Sequence, residues 1–191
     1  MKVISGGYAS KIILDLCGGT GAWSRPYKEA GYDVRLVTLP EHDVRTYAPP
    51  ENVHGILAAP PCTFFCRMRF CRGTPTKEEY AGALEVVMGC MNIIWKSVPT
   101  WWALENPEGR LHDWLGEPRL KFQPWEYGDP WTKQTHIWGK FVRPLKLFPK
   151  RPIGPWVKGY KDGHQVALAK NSTQRSITPP GFAKAFFEAN P

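Results

Sequence analysis

The sequence predicts an α/β fold with one mainly parallel sheet and helices on both faces. Two observations carry this. Short apolar runs alternate with helical segments along the first half of the 191-residue chain, an order that builds a parallel sheet covered on both sides. Several of those runs also end in turns rich in Gly, Pro or polar residues, at the strand ends where open α/β sheets hold their ligands.

Taken in order, Lys11 to Leu16 (KIILDL) read as a buried strand, followed by a glycine-rich turn from Cys17 to Gly21. A helix is expected from Ala22 to Ala30, stopped by Gly31. Asp33 to Thr38 and Val53 to Ala59 read as the next strands, the latter stopped by Pro60 and Pro61. Thr76-Lys-Glu-Glu79 is a capping box, and the helix that it opens runs to about Lys96. Trp101 to Leu104 form a further strand, ended by Glu105, Asn106 and Pro107. After Leu111 the pattern is less regular: Thr135 to Phe141 suit a strand, and recurrent prolines from Val142 to Pro155 predict extended, irregular chain. Thr178 is placed to cap a last helix, with Pro179 in its first turn and Ala183, Phe186 and Phe187 at helical spacing. Residues 1–191 are read as a single domain, with a basic segment over 140–175 and a C-terminal helix over 178–190 packing back on the core.

Hydrophobic residues make up 42% of the chain, enough for a core without disulfide staples. Five irregularly spaced cysteines argue against a disulfide framework. No apolar run approaches the length of a bilayer span, and the start, MKVISGGYASK, lacks the apolar stretch of a secretory signal. A cytoplasmic protein without a membrane partner is the expectation, and a monomer is expected. The net charge of +8 is localised: residues 140–175 hold nine Lys and Arg against the single acid Asp162, and the rest of the chain is balanced. Phe148, Trp156 and Tyr160 interleave with those charges, a mixture suited to a polyanion with stackable bases.

Three strand ends carry chemistry. Asp15-Leu-Cys-Gly-Gly-Thr-Gly21 lies between a strand and a helix, where glycines let a ligand approach the backbone closely. A dinucleotide fingerprint is a rival reading, but the spacing here is D-x-x-x-G-x-G. Ala59-Pro60-Pro61-Cys62 ends the next strand, with two prolines fixing the direction of a nucleophilic side chain. Leu104-Glu105-Asn106-Pro107 puts a carboxyl group at a third strand end. Cys62, Cys66 and Cys71 are spaced C-x3-C-x4-C, which fits no common metal pattern, so no metal is expected. Arg67, Arg69 and Arg72 beside them suit phosphate contacts.

In this order the glycine loop, PPC and ENP resemble the cytosine-5 DNA methyltransferases, whose pattern is PC followed by ENV. Ser176-Ile-Thr-Pro-Pro-Gly-Phe-Ala183 is similar to the last motif of that family, GNAVPP followed by a helix. The resemblance is strongest from Ile12 to Pro107. It implies a Rossmann-like class I methyltransferase fold, S-adenosylmethionine as cofactor and DNA as partner. It implies that Cys62 attacks C6 of a cytosine while Glu105 holds N3 and the exocyclic amine, and that the base is flipped out of the stack. Asp15, Cys17, Gly19, Gly21, Trp23, Pro60 and Ser176 are the implied cofactor contacts, with Asp43 near the adenine. Asn106 is the implied substrate contact beside Glu105.

The sequence also departs from the family. Its second strand ends Leu36-Val37-Thr38-Leu39 without the usual acid, so the ribose contact falls to Thr38 or to the displaced Glu41. Where the family has Q-x-R-x-R, this chain has Lys133-Gln134-Thr135-His136, and Lys133 substitutes as a point charge. No large target-recognition domain fits before the last helix. The basic segment is expected to take its place, with Lys146, Lys150 and Arg151 on phosphates. Two other classes remain open: a nucleic-acid-binding protein that has lost the chemistry, and a methyltransferase acting on RNA or a free pyrimidine nucleotide.

Overall fold

The computed structural model describes residues 10–71, 73–129, 132–149 and 176–191. Strands β1 (Ile12–Leu16), β2 (Asp33–Val37), β3 (Val53–Ala58), β4 (Trp101–Pro107), β5 (Leu120–Phe122) and β6 (Thr135–Lys140) form one sheet, in the order β2-β1-β3-β4-β6-β5. The pairings β1–β2, β1–β3 and β3–β4 are parallel; β6 is antiparallel to both of its neighbours. Strand order reverses direction at β1, which has β2 on one side and β3 on the other, and such a switch point opens a crevice at the carboxyl ends of the strands.

Helix α1 (Arg25–Glu29) links β1 to β2, and α2 (Arg67–Cys71) and α3 (Lys77–Ser97) link β3 to β4. Helix α4 (His112–Leu115) precedes β5, and α5 (Pro180–Ala189) follows the basic segment. The central strands are apolar at successive positions because both faces are covered. Leu14, Leu16, Ile56 and Leu104 pack towards Val87, Ile93 and Ile94 of α3. Ile13, Leu57, Ala103 and Ile137 pack on the other face with Tyr27 of α1 and Phe182 and Phe186 of α5. Such near-continuous apolar runs are what a sheet buried on both sides requires.

The expected capping box is present: the Thr76 hydroxyl accepts from the Glu79 amide at 3.1 Å, and the Glu79 carboxylate accepts from the Thr76 amide at 2.9 Å. Other expectations need correction. The first helix spans only Arg25–Glu29, because Gly21 has a φ of +67° and the chain turns before Pro26 can open the helix. Strand β4 continues to Pro107, since β6 pairs with it from Trp102 to Pro107. Thr178 does not cap the last helix, whose first turn follows Pro179. Asp129 does that work: its carboxylate accepts from the Gly181 amide at 3.1 Å, satisfying a donor that would otherwise be orphaned. Residues 142–149 hold no helix or strand, as the prolines imply, and the remainder of the basic segment, to Arg175, lies outside the described residues.

Candidate active site at the switch point

Strand register brings the three chemical motifs to one rim. Leu16, Ala58 and Leu104 are cross-strand neighbours on β1, β3 and β4. The next residues along are Cys17, Ala59 and Glu105, so the glycine loop and PPC leave the sheet beside ENP, which continues β4. The Ala59 amide donates to the Leu16 carbonyl at 2.9 Å, extending the pairing into the loops.

Asp15, the penultimate residue of β1, is fully buried. Its Oδ2 accepts from the Ser24 hydroxyl at 2.5 Å, whereas Oδ1 has no partner. Burial pushes its carboxyl from an ordinary 3.8 up to about 6, with the Ser24 bonds opposing. A Cβ at Gly18 would lie 2.2 Å from that Oδ1, so only glycine lets the loop pass over the acid. Cys17, Gly19 and Gly21 all have positive φ (57°, 54° and 67°), and at Gly19 nothing lies within 4 Å of where a Cβ would stand. The loop is thus an open cradle above a buried carboxyl group with an unused oxygen. Sulfurs of Cys17 and Cys90 lie 4.0 Å apart, and the Cys90 thiol as donor holds Cys17 below its ordinary range, against burial.

Cys62 starts a turn whose carbonyl accepts from the Phe65 and Cys66 amides at 3.0 and 2.9 Å. Its thiol is raised above the ordinary range by the Cys66 thiol, by burial and by the charge of Glu105, while Lys133 opposes the rise. Cys62, Glu105 and Lys133 therefore act on one another. Lys133 Nζ lies 3.3 Å from Glu105 Oε1, with both side chains largely buried (14% and 13% exposed). Asn106 is fully buried and donates through Nδ2 to the Pro60 carbonyl at 3.0 Å. The ENP asparagine thus fixes the PPC loop from below, instead of facing outward to a substrate.

The two arms of the site are locked together further out. The Arg110 amide donates to the Phe65 carbonyl at 2.8 Å, the Arg67 amide donates to the Glu108 carbonyl at 3.2 Å, and Cys66 bridges Gly109. A Cβ at Gly109 would fall 2.0 Å from the Phe65 carbonyl oxygen, so glycine is required for this approach.

Other sequence candidates are placed differently. Trp23 is 2% exposed and packs on Phe182 and Phe186 in the core. Pro60 is buried, Thr38 is half-buried, and Glu41 and Ser176 are exposed. Asp43 is gripped by Arg45, which holds its carboxyl down at about 2. Arg69 is turned inward on Glu79 at 3.2 Å and on the Gly73 carbonyl at 2.9 Å, so it is not poised for phosphate. Arg67 stays largely exposed, 3.9 Å from Glu108. Lys146, itself exposed, pairs at 2.6 Å with Glu126, a buried residue. Arg72, Lys150 and Arg151 lie outside the described residues. In the segment after Lys133, Gln134 Oε1 accepts from Gln123 Nε2 at 2.8 Å, and burial holds His136 below its ordinary range. Sequence reasoning missed Ser24, Gly18 and Gly109, whose tasks follow from contacts.

Among the described residues, no group of three or more His, Cys, Asp or Glu side chains is placed to hold a metal ion. No helix among them is long and apolar enough to cross a membrane.

Sheet order, covered faces and switch-point crevice define a Rossmann-like α/β fold of the class I methyltransferase type. No protein-family model matches the chain, and no curated protein matches it. Among solved structures, the chain is similar to a candidate DNA modification methyltransferase encoded within a prophage of E. coli, at 18% identity and a TM-score of 0.50. The likeness covers 83% of this chain and 53% of that one, so the chain spans about half the length of that protein. At this identity the likeness establishes the fold.

Proposed function

We propose that the chain is an S-adenosylmethionine-dependent methyltransferase that modifies C5 of cytosine in DNA through a covalent bond to Cys62. The observation that carries this reading is the grouping of Cys62, Glu105 and Lys133 on the same rim as the glycine loop. The methyltransferase-type fold and the DNA modification assignment of the structural neighbour support it.

The cradle fits the cofactor. Asp15 underlies that cradle, its unpartnered oxygen beneath Gly18, and so sets the loop that receives the cofactor; the open loop at Gly19 leaves its backbone accessible. Thr38 and Glu41, on the segment that follows β2, are the candidates for the ribose. S-adenosylmethionine, when bound, supplies the methyl group that C5 takes up.

In this mechanism Cys62 loses its proton as its sulfur bonds to C6. The C5–C6 π electrons move into the ring, which becomes electron-rich at C5 and N3. Glu105, carrying the proton that Cys62 gives up, donates it in a hydrogen bond to N3 while its other oxygen accepts from the exocyclic amine, and so holds the ring as that charge develops, the type of contact that is stronger in the transition state than in the ground state. Lys133 keeps Glu105 in place and offsets its repulsion of the Cys62 sulfur. Asn106 holds the Pro60 carbonyl and so positions Cys62. Once C5 has been methylated, loss of the C5 proton to a base and departure of the Cys62 sulfur restore the aromatic ring.

A duplex containing 5-fluorocytosine, incubated with the protein and cofactor, tests this directly, because fluorine at C5 cannot leave as a proton. The expected result is an adduct that mass spectrometry maps to Cys62 and that Cys62→Ser abolishes. An adduct on Cys66 or Cys71, or none with the folded protein, would refute it.

A further inference from the structure

A groove of about 380 Å³ lies beside the rim, between α2, the first turn of α3 and α4, a size at the lower end of the range for small-ligand sites. Phe70, Tyr80 and Trp114 supply its ring surfaces, and Lys77 and Arg110 its cations. Trp114 is 59% exposed, a large apolar surface left in water. It is nevertheless held in place: its Nε1 donates to the Tyr80 hydroxyl at 3.1 Å, the two rings lie 6.2 Å apart, and Tyr80 rests on buried Phe65 at 5.4 Å. Across the groove the Arg110 guanidinium sits 4.9 Å from the Phe70 ring centre, with Asp113 steadying it at 3.7 Å.

The groove is built from the same two segments that form the catalytic rim. Phe65 and Phe70 follow Cys62, and Arg110 and Trp114 follow Glu105. The Arg110–Phe65 backbone bond and the Cys66–Gly109 bridge join the two segments between rim and groove. A polynucleotide strand with one base at Cys62 would have its adjacent nucleotides within reach of this face. Fixed aromatic faces beside cations suit such nucleotides, since each base offers a π face and each phosphate a charge.

We propose that this groove binds a nucleotide flanking the target in the same DNA strand, with its base stacked on Trp114 and its phosphate near Arg110 and Lys77. The proposal deepens the reading above and rests on it for the identity of the strand, but its test is separate. Binding of a labelled single-stranded oligodeoxynucleotide is measured by fluorescence anisotropy for the wild type, Trp114→Ala and Trp114→Phe. Trp95→Ala, at an exposed position of α3 outside the groove lining, is the control. Loss of one stacked base weakens affinity about tenfold. That loss is expected in Trp114→Ala, with most of the affinity kept in Trp114→Phe and all of it in Trp95→Ala. Heparin, which has charge but no bases, should bind the wild type and Trp114→Ala equally. Unchanged oligonucleotide affinity in Trp114→Ala, or an equal loss towards heparin, overturns the proposal. If the wild type transfers no methyl group to DNA yet shows this pattern of binding, the methyltransferase reading falls and the groove stands.

Discussion

Replacing Asp15 with Asn separates the acid's effect on stability from its effect on ligand binding. In the folded protein the carboxyl is fully buried and pushed up to about 6 from an ordinary 3.8. Below the lower value the folded and unfolded chains are both protonated. As pH rises, the unfolded carboxyl ionises first, and the folded one ionises only near 6, inside the protein. The stability that protonated Asp15 contributes is therefore complete below about pH 4 and lost as pH rises through about 6. A difference of about 2 between the folded and unfolded values, at about 1.4 kcal/mol for each factor of ten, makes that loss about 3 kcal/mol. An amide in place of the carboxyl has no such titration. The stability of the wild type minus that of Asp15→Asn should fall by about 2 kcal/mol between about pH 4 and pH 8, read from urea unfolding across that range. Any constant cost of placing an amide beneath Gly18 cancels in this comparison. Parallel stability–pH curves for the two proteins would refute the reasoning, because the buried acid would then not be titrating as its surroundings require. Calorimetry with S-adenosylhomocysteine should show that the variant has lost most of its cofactor affinity.

Two further outcomes follow from charge and capping. Glu105→Gln removes a charge that disfavours the Cys62 thiolate, and Lys133→Met removes one that favours it; alkylation of Cys62 by iodoacetamide near pH 8 should speed up in the first and slow down in the second, by about tenfold each. Equal rates in the two variants would break the link between the three residues. Asp129→Ala leaves the first turn of α5 uncapped and should cost about 1 kcal/mol, seen as a fall in Tm of about 2–4 °C.

What could be read from sequence was local. The glycine loop, PPC, ENP and the Thr76 capping box each fit within a few residues, and strand alternation then brings the three motifs to one edge without further information. What could not be read depends on partners far along the chain. Trp23 looks like a ligand-facing aromatic beside a glycine loop, but its neighbours Phe182 and Phe186 claim it for the core. The ion pairs of Arg69 with Glu79 and of Lys146 with Glu126 likewise join residues that stand apart in the sequence. Thr178 has the right side chain for a cap, yet Asp129 reaches Gly181 first. Strand β5 has only three residues, too few to show any period. Resemblance points to Lys133, but its 3.3 Å approach to Glu105 depends on β6 running back along β4.

The close contact at Gly109 bears on when the site is assembled. Backbone bonds join the segment after Cys62 to the segment after Glu105, and there is no room for a side chain between them. The thiol and the carboxyl group are therefore set in a common frame as the chain folds, and the entropy of bringing them together is lost at that stage. On the proposed function, a substrate arriving at the rim meets a preorganised pair, so none of its binding free energy is needed to assemble it.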